Sequence, residues 1–320
     1  MTGDGEDTRT VSDLDPADGP VGVGDAVLAE RRRLLAIGYR MLGTLAEAED
    51  AVQETYVRWY RMTDAERAAV RNPQGWLTRV MSRVCLDVLG SARARRERYV
   101  GEWLPEPVPA DLFSGAAGRA PAPDDGDPFD RVSLDEEVST ALLVVMEAMT
   151  PAERVAFVLH DVFALPFDEI AEAVGRSPAA VRQLATSARR RVRAHDAPGR
   201  GTREHDDVLA AFVAAATGGD LAALTGLLDP SVTLRADGGG VVSAARRPVL
   251  GVDHVARFVL GILQKRPTAV LAARRTGDGL AFALEDEGRV QALVNARVRD
   301  GRITDLWLQV NPGKLTTWSA

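Results

Sequence analysis

The sequence predicts a multidomain chain in which two all-α domains are followed by a small α+β domain. Apolar residues recur at helical spacing from about residue 26 to 100 and again from 134 to 196. After a break at Ala197-Pro198-Gly199, helical segments precede runs with strand-like alternation, such as VQALVNARV and ITDLWLQV. Helices first and strands last indicate an α+β unit with a curled antiparallel sheet at about 203–318.

The composition is that of a globular protein without a metal or cofactor site. The chain has 320 residues, of which 46% are hydrophobic and 27% charged, so two or three domains can each bury a core. The single cysteine, Cys85, excludes an internal disulfide framework, and the four histidines lack metal-ligand spacing. No apolar run approaches the roughly 18 residues of a membrane helix. We therefore expect no metal, no cofactor, no membrane contact and a cytoplasmic location.

Charge is segregated along the chain although its net value is only −7. Residues 1–25 are acidic and rich in Gly, Asp and Pro, which predicts a disordered tail. Basic residues form short blocks: RRR at 31–33, ARARRER at 92–98 and ARRRVR at 188–193. Such blocks are compatible with phosphate binding through local patches, so the acidic total does not exclude a nucleic-acid partner.

The stretch AEAEDAVQETYVRWY (46–60) predicts a helix with a distinct polar face. Asp50, Gln53 and Glu54 fall at i, i+3 and i+4 and so project from one side. This face is either a docking surface for a basic partner or a solvated surface paired internally, for example between Glu54 and Arg58.

A second helix is predicted to begin at Asn72-Pro73, with Asn as N-cap and Pro in the first turn. It carries Trp76, Arg79 and Arg83, of which Trp76 is equally compatible with an ordinary core position. Residues 101–133 then lose periodicity and become a Pro- and Gly-rich linker. The linker opens with WLPEP, which is too apolar for a segment that only connects two domains through solvent.

The region 134–196 contains a helix-turn-helix pattern. Thr150-Pro151 with Glu153 has the form of a capping box, and a short helix from Phe167 ends at Gly175. Ser177-Pro178 starts the next helix, whose inward positions are expected to be Val181, Leu184, Ala188 and Val192. A helical hairpin with a solvated basic face is the alternative. The candidates for DNA contact are Arg182, Gln183, Thr186, Ser187 and Arg190.

These stretches together resemble bacterial sigma factors. LAEAEDAVQETYVRWY is similar to their polymerase-binding helix, and NPQGWLTRVMSRVCLDVLGSARARRER to their promoter-melting, minus-ten-reading region. TPAERVAFVLHDVFALPFDEIAEAVGRSPAAVRQLATSARRRV resembles the domain that reads the minus-thirty-five element. Since further sigma domains are absent between them, the likeness is to the extracytoplasmic-function class. WLPEP, DGGG (237–240) and NPGKL (311–315) resemble three motifs of its sigma-J-like subgroup, which carries a SnoaL-like, cone-shaped domain at the carboxyl end.

The resemblance implies the partners and the site residues. Asp50, Gln53 and Glu54 would bind core RNA polymerase, while Trp76, Arg79 and Arg83 would handle the promoter minus-ten DNA. Arg93 and Arg96 would hold phosphate. The SnoaL-like domain would regulate in cis by intramolecular contact, with no separate anti-sigma factor required. Its contact points would be Trp103, Leu104, Pro105, Glu106 and Pro107, then Asp237, Gly238, Gly239 and Gly240, and finally Asn311, Pro312, Lys314 and Leu315.

Two departures and two alternatives accompany this interpretation. Val241 stands where the subgroup has Lys, and Gly313 stands where it has Asp, so charged contacts are not carried over there. A DNA-binding regulator with a ligand-sensing third domain is one alternative. A fused enzyme with Asp237 or His254 as base is the other, although Asp before glycines is also common turn chemistry.

Overall fold

The computed structural model describes residues 27–91, the backbone of 92–96, and residues 99–113, 139–194 and 203–318. The predicted tail and most of the linker therefore lie outside the described residues. Within those ranges, no helix combines the length and the apolar character that crossing a membrane requires.

The first helical unit contains the helices α1 (Arg31–Leu42), α2 (Leu45–Tyr60), α3 (Asp64–Ala69) and α4 (Pro73–Arg96). Gly43 ends α1 in the left-handed region at φ 81°, and Thr44 caps α2 by accepting the backbone N–H of Glu47. Asn72 Oδ1 accepts the N–H of Gly75 at 2.9 Å. The predicted helix start at Asn72-Pro73 is thus confirmed.

The second helical unit comprises α5 (Thr140–Glu147), α6 (Pro151–Phe157), a π-helical turn (Val158–Val162), α7 (Phe167–Val174) and α8 (Pro178–Ala194). The capping box between Thr150 and Glu153 is present. Gly175 ends α7 at φ 68°, where a residue with a Cβ would be strained. The predicted helix–glycine turn–helix is formed by α7 and α8.

The two helical units share one continuous apolar core rather than two separate ones. Trp59 and Leu77 of the first unit belong to the same buried cluster as Phe157 of the second. The linker contributes as well, because Phe113 is buried against Tyr39 with ring centroids 5.2 Å apart. The two helical regions, which the sequence separates by a linker, therefore pack directly on each other.

The carboxyl-terminal unit is the predicted α+β domain. Helices α9 (Arg203–Thr217) and α10 (Leu221–Leu227) lead into β1 (Leu228–Asp237), β2 (Val249–Leu250) and α11 (Val252–Gln264). Four strands follow: β3 (Val270–Thr276), β4 (Gly279–Asp286), β5 (Arg289–Arg299) and β6 (Arg302–Gln309). Strands β1 to β6 form one open sheet in the order β2-β1-β6-β5-β4-β3.

One strand pairing differs from the simple antiparallel expectation. Strand β1, which precedes α11, pairs in parallel with the last strand, β6, while the other neighbours pair antiparallel. The carboxyl ends of parallel strands meet at one edge of a sheet. The pairing places Asp237 opposite Gln309, so DGGG comes to lie beside NPGKL.

Candidate functional site

The three residues predicted to bind polymerase lie on one face of α2. Asp50 and Gln53 are exposed and Glu54 is half-buried. Arg58 Nε donates to Glu54 Oε1 at 2.8 Å, so the internal pair considered from the sequence is formed. About two-fifths of each of these side chains is exposed, and such a pair contributes little to stability and can be exchanged for a partner's cation.

Two of the residues predicted to read minus-ten DNA contact the second helical unit. Arg79 donates to the carboxylate of Glu172 on α7, and Arg83 Nη2 donates to the backbone oxygen of Glu172 at 2.9 Å. Trp76 is half-buried and packs edge-on against Trp59, with centroids 5.1 Å apart. Trp76 therefore makes a packing contact, as expected for the core position that the sequence offered as the alternative to DNA contact. The side chains of Arg93 and Arg96 lie outside the described residues.

Most of the predicted DNA-contacting residues of α8 are exposed, namely Arg182, Gln183, Thr186 and Arg190. Ser187 differs, since its hydroxyl donates to Glu153 Oε1 at 2.6 Å and so joins the capping box of α6. Val181, Ala188 and Val192 are buried as expected, whereas Leu184 is half-buried and Ala185 takes the fully buried position.

The WLPEP segment is buried between the first helical unit and the α+β domain. Toward the helices, Glu106 N donates to Gly43 O at 2.8 Å, and Glu106 Oε2 accepts from Leu45 N at 2.8 Å. The hydroxyl of Tyr39 donates to the backbone oxygen of Glu106. Burial raises the pKa of the Glu106 carboxyl. The linker thus caps the amino terminus of α2, the helix with the predicted polymerase face.

On its other side the linker is held by Asp237, a fully buried carboxylate at the end of β1. Oδ1 accepts from Tyr99 Oη at 2.6 Å and from Gly239 N at 2.9 Å. Oδ2 accepts from Leu104 N at 2.9 Å and from Lys314 Nζ at 2.8 Å. All four donors are well placed, so the buried charge is fully compensated.

Lys314 completes this arrangement, which we call the clasp. It consists of Asp237, Asn311 and Lys314 of the α+β domain together with residues 99–107, which lead into and open the linker. Lys314 is buried, and its Nζ also donates to Leu104 O at 2.5 Å. The ammonium lies 4.1 Å from the ring centroid of Trp103, within range of a cation–π interaction. Asn311 Nδ2 donates to Tyr99 Oη at 3.1 Å. The three sequence motifs therefore meet at one place.

Close approach explains the glycines of DGGG. A Cβ on Gly239, at φ 64°, would lie 2.5 Å from the side chain of Asn311, and one on Gly238 would lie 2.2 Å from Val242 O. A Cβ on Gly240, at φ 73°, would meet Val100 at 3.2 Å. Val241 and Gly313, which stand where the subgroup has Lys and Asp, bring no charge to the clasp. The Val241 side chain is 79% exposed, and Gly313 contacts Asn311 Oδ1 through its backbone N–H.

A second anchor, which the sequence did not reveal, joins the α+β domain to the second helical unit. Asp278, buried in the turn between β3 and β4, accepts from Thr140 N at 2.9 Å and Ala141 N at 3.3 Å. Asn295 Nδ2 donates to Thr140 Oγ1 at 2.8 Å. Burial raises the pKa of the Asp278 carboxyl. An Asp in a Gly-Asp-Gly turn is normally assigned to the turn itself, so only the asparagine within a buried strand hinted at this anchor.

Two buried arginines at the contact between the helical units were also missed. Arg154 of α6 donates to Met41 O at the end of α1, at 2.9 Å. Arg40 lies between the rings of Phe113 and Phe163, 5.6 and 5.4 Å from their centroids, and burial lowers its pKa to about 10. Among the described residues, Arg154 Nε and Arg40 Nη2 have no hydrogen-bond partner.

Neither candidate base of the enzyme alternative is placed for acid–base chemistry in the part of the chain that the structure describes. His254 is exposed on α11, and Asp237 is enclosed by its four donors. Neither lines the apolar cavity of about 50 Å³ between α9, α11 and the sheet. In the part of the chain that the structure describes, no group of His, Cys, Asp and Glu could hold a metal ion.

Two family models match the helical part of the chain. Residues 26–96 match the family model of Sigma-70 region 2, and residues 139–192 match that of Sigma-70 region 4. The chain is 40% identical over 303 residues to the ECF RNA polymerase sigma factor SigJ of Mycobacterium tuberculosis, covering 90% of this chain and 91% of SigJ. It is 36% identical over 295 residues to the probable ECF RNA polymerase sigma factor SigI of the same species, covering 92% and 94%.

The likeness extends to three dimensions. The crystal structure of Mycobacterium tuberculosis SigJ matches with a TM-score of 0.68 at 35% identity, covering 92% of this chain and 98% of that one. SigJ has a SnoaL-like domain at its carboxyl end, and the α+β domain of this chain corresponds to it. The match thus includes both helical units and the domain that follows them.

Proposed function

Because this chain belongs to the extracytoplasmic-function family of RNA polymerase sigma factors, we propose that its SnoaL-like domain regulates promoter use in cis. Sigma factors are not enzymes, and they act in transcription initiation with core RNA polymerase and promoter DNA. The proposed division assigns residues 26–100 to polymerase and minus-ten DNA, 101–133 to the linker, 134–196 to the minus-thirty-five element and 203–318 to regulation.

The polymerase contact is assigned to the acidic and amide face of α2. Asp50 and Gln53 are exposed there, and Glu54 accepts from Arg58 in a half-exposed pair that a cationic partner would replace. Charge-assisted hydrogen bonds to a basic surface need acceptors of this kind. The double variant Asp50→Arg/Glu54→Arg should abolish binding to core polymerase in a pull-down. The control is Asp64→Arg, which reverses the charge of an exposed residue on α3 and should leave binding intact.

Promoter contact is assigned to the exposed arginines and amides of α8 and to the arginines of α4. In the arrangement seen here, Arg79 and Arg83 donate to Glu172 of α7. A DNA phosphate that approaches these arginines meets the carboxylate of Glu172 beside Arg79, which repels it. We propose that the two helical units separate at this contact before both promoter elements are read.

The clasp is the single observation that carries the regulatory proposal. It holds the linker by the buried Lys314–Asp237 pair, while Asp278 holds the amino terminus of α5. The SnoaL-like domain thus grips both the segment between the helical units and the second unit itself. We infer that it restrains their separation, and that no separate anti-sigma factor is needed for this restraint.

Promoter-specific transcription with core polymerase tests the proposal. Lys314→Met should raise output from a promoter that this sigma factor recognises, since the linker is released while the α2 face is unchanged. Val241→Ala is the matched control, because this exposed residue adjoins DGGG without joining the clasp. An unchanged or reduced output with Lys314→Met, at equal polymerase binding, would contradict restraint by the clasp.

A further inference from the structure

A cleft of about 470 Å³ opens in the SnoaL-like domain between helix α11 and the segment that follows DGGG. Its walls are largely apolar and include Val242, Ala245, Phe258 and Ile262. Its rim carries Lys265 and Arg266. Ser243 is the remaining polar lining residue, and none of the lining side chains that the structure describes carries a carboxylate.

Size and charge together specify a class of ligand. Clefts of about 300–1,000 Å³ with apolar walls and a few polar groups bind small organic molecules. Two cations at one end, with no acidic residue to neutralise them in the lining, complement an anion. We propose that this cleft binds an amphipathic monocarboxylate, with its apolar part along Phe258 and Ile262 and its carboxylate at Lys265 and Arg266.

The walls of the cleft are connected to the clasp through the backbone. Gly238 O accepts the N–H groups of Val241 and Val242, both at 3.0 Å, so the cleft wall starts where DGGG ends. On the opposite wall, Val310 N donates to Asp237 O at 2.9 Å. A ligand that moves either wall therefore acts on the residues that hold Asp237. The ligand's regulatory effect rests on the function proposed above, whereas its binding does not.

Calorimetry on the full chain with matched probes tests the binding. Decanoate, kept below its micelle concentration, should bind saturably and about tenfold more tightly than decanol, because only decanoate forms charge-assisted contacts. The double variant Lys265→Gln/Arg266→Gln should reduce the affinity for decanoate to the affinity for decanol. Arg257→Gln is the matched control, since this exposed arginine lies on α11 outside the cleft lining.

A filling variant locates the ligand. Ala245→Phe should weaken decanoate and decanol alike, because it occupies the apolar part of the cleft, with its fold checked by circular dichroism. Equal affinity for the two probes, absence of saturable binding, or decanoate binding that survives the paired glutamine substitutions would each overturn the proposal. The paired substitutions alter two residues outside the buried core, so the test does not depend on whether Ala245→Phe folds.

The regulatory consequence has its own readout. Decanoate should change promoter output with the wild-type protein and not with the paired glutamine variant. Binding without any change in output would overturn the link between cleft and clasp. Lys314→Met measures the clasp without ligand, so failure of this inference and failure of the proposed function give different results.

Discussion

The clasp and the contact between the two helical units are built on opposite principles. In the clasp, Asp237 has four hydrogen-bond donors and Lys314 has two acceptors and an aromatic face. At the helical contact, Arg40 Nη2 has no hydrogen-bond partner among the described residues, while Arg154 pairs with Glu147 at 2.7 Å and leaves only its Nε without one. Buried charges that are incompletely paired oppose burial, whereas fully paired ones hold one geometry.

The difference shows which contact is suited to open. Separation of the helical units returns the guanidinium group of Arg40 to water, and this hydration offsets part of the free-energy cost of exposing apolar surface. Opening the clasp instead leaves two opposite charges to be solvated separately and breaks their hydrogen bonds. We therefore expect the helical contact to be the weaker of the two, and the clasp to limit its opening until a ligand or partner acts on the clasp.

The largest effect is expected from breaking the clasp on one side. Lys314→Met leaves the Asp237 carboxylate buried without its cation, which typically costs about 3–5 kcal/mol. Urea unfolding should report this loss, and hydrogen exchange at Leu104 N should accelerate. Lys265→Met, at an exposed lysine, should leave both measurements unchanged. Adding Asp237→Asn to Lys314→Met should recover part of the loss, and no recovery would show that the pair is not coupled.

The second effect concerns the anchor on α5. Asp278→Ala removes the acceptor for two buried backbone N–H groups, at an expected cost of about 1–3 kcal/mol. Exchange of the Thr140 and Ala141 amides should accelerate, whereas Leu104 should remain protected. Asp220→Ala, which removes the N-cap of α10 in the same domain, is the control because it should leave α5 unaffected. Equal protection of Thr140 in wild type and Asp278→Ala would refute the anchor.

The same carboxyl predicts a pH dependence. Burial raises the pKa of Asp278 in the folded protein above the ordinary value of about 4. Between these two values the folded state binds more protons than the unfolded state, so the free energy of unfolding falls as pH rises through that window. Asp278→Asn should remove this slope in urea titrations. Asp229→Asn should change the slope in the opposite sense, because hydrogen bonds from Ser231 lower the pKa of Asp229.

The smallest effect is expected at the helical contact. The Arg79–Glu172 pair is 39% and 59% exposed, so solvent limits its contribution to about 0.2–1 kcal/mol. Glu172→Ala should increase the open population by a few-fold at most, measured by fluorescence transfer between labels on α4 and α8. Glu169→Ala on the same helix controls for the loss of negative charge. A change as large as that from Lys314→Met would contradict the contrast between the two contacts.

Patterns within short stretches predicted much of the fold. The N-cap at Asn72, the capping box at Thr150 and the glycine end of α7 all rest on neighbours in sequence, and each is present. Helical spacing alone also favours an inward-facing stripe of Leu45, Ala48, Val52, Tyr56 and Trp59. Of these, Ala48, Val52 and Trp59 are buried, and Leu45 and Tyr56 are half-buried. The parallel pairing of β1 with β6 could not be foreseen, because it joins segments separated by a helix and four strands. The partners of Arg79, Arg154 and Asp278 are likewise distant in sequence.

The sequence by itself determined the order of the helical and α+β units, the turns that require glycine and the motifs that identify the family. These depend on local conformational preferences and on residue types, which the chain carries in linear form. Only the tertiary structure decided that WLPEP is a buried bridge, that Asp237 binds Lys314 and that Asp278 caps α5. A buried charge acquires its role from whatever partner the fold brings within hydrogen-bond distance, and no local pattern encodes that partner.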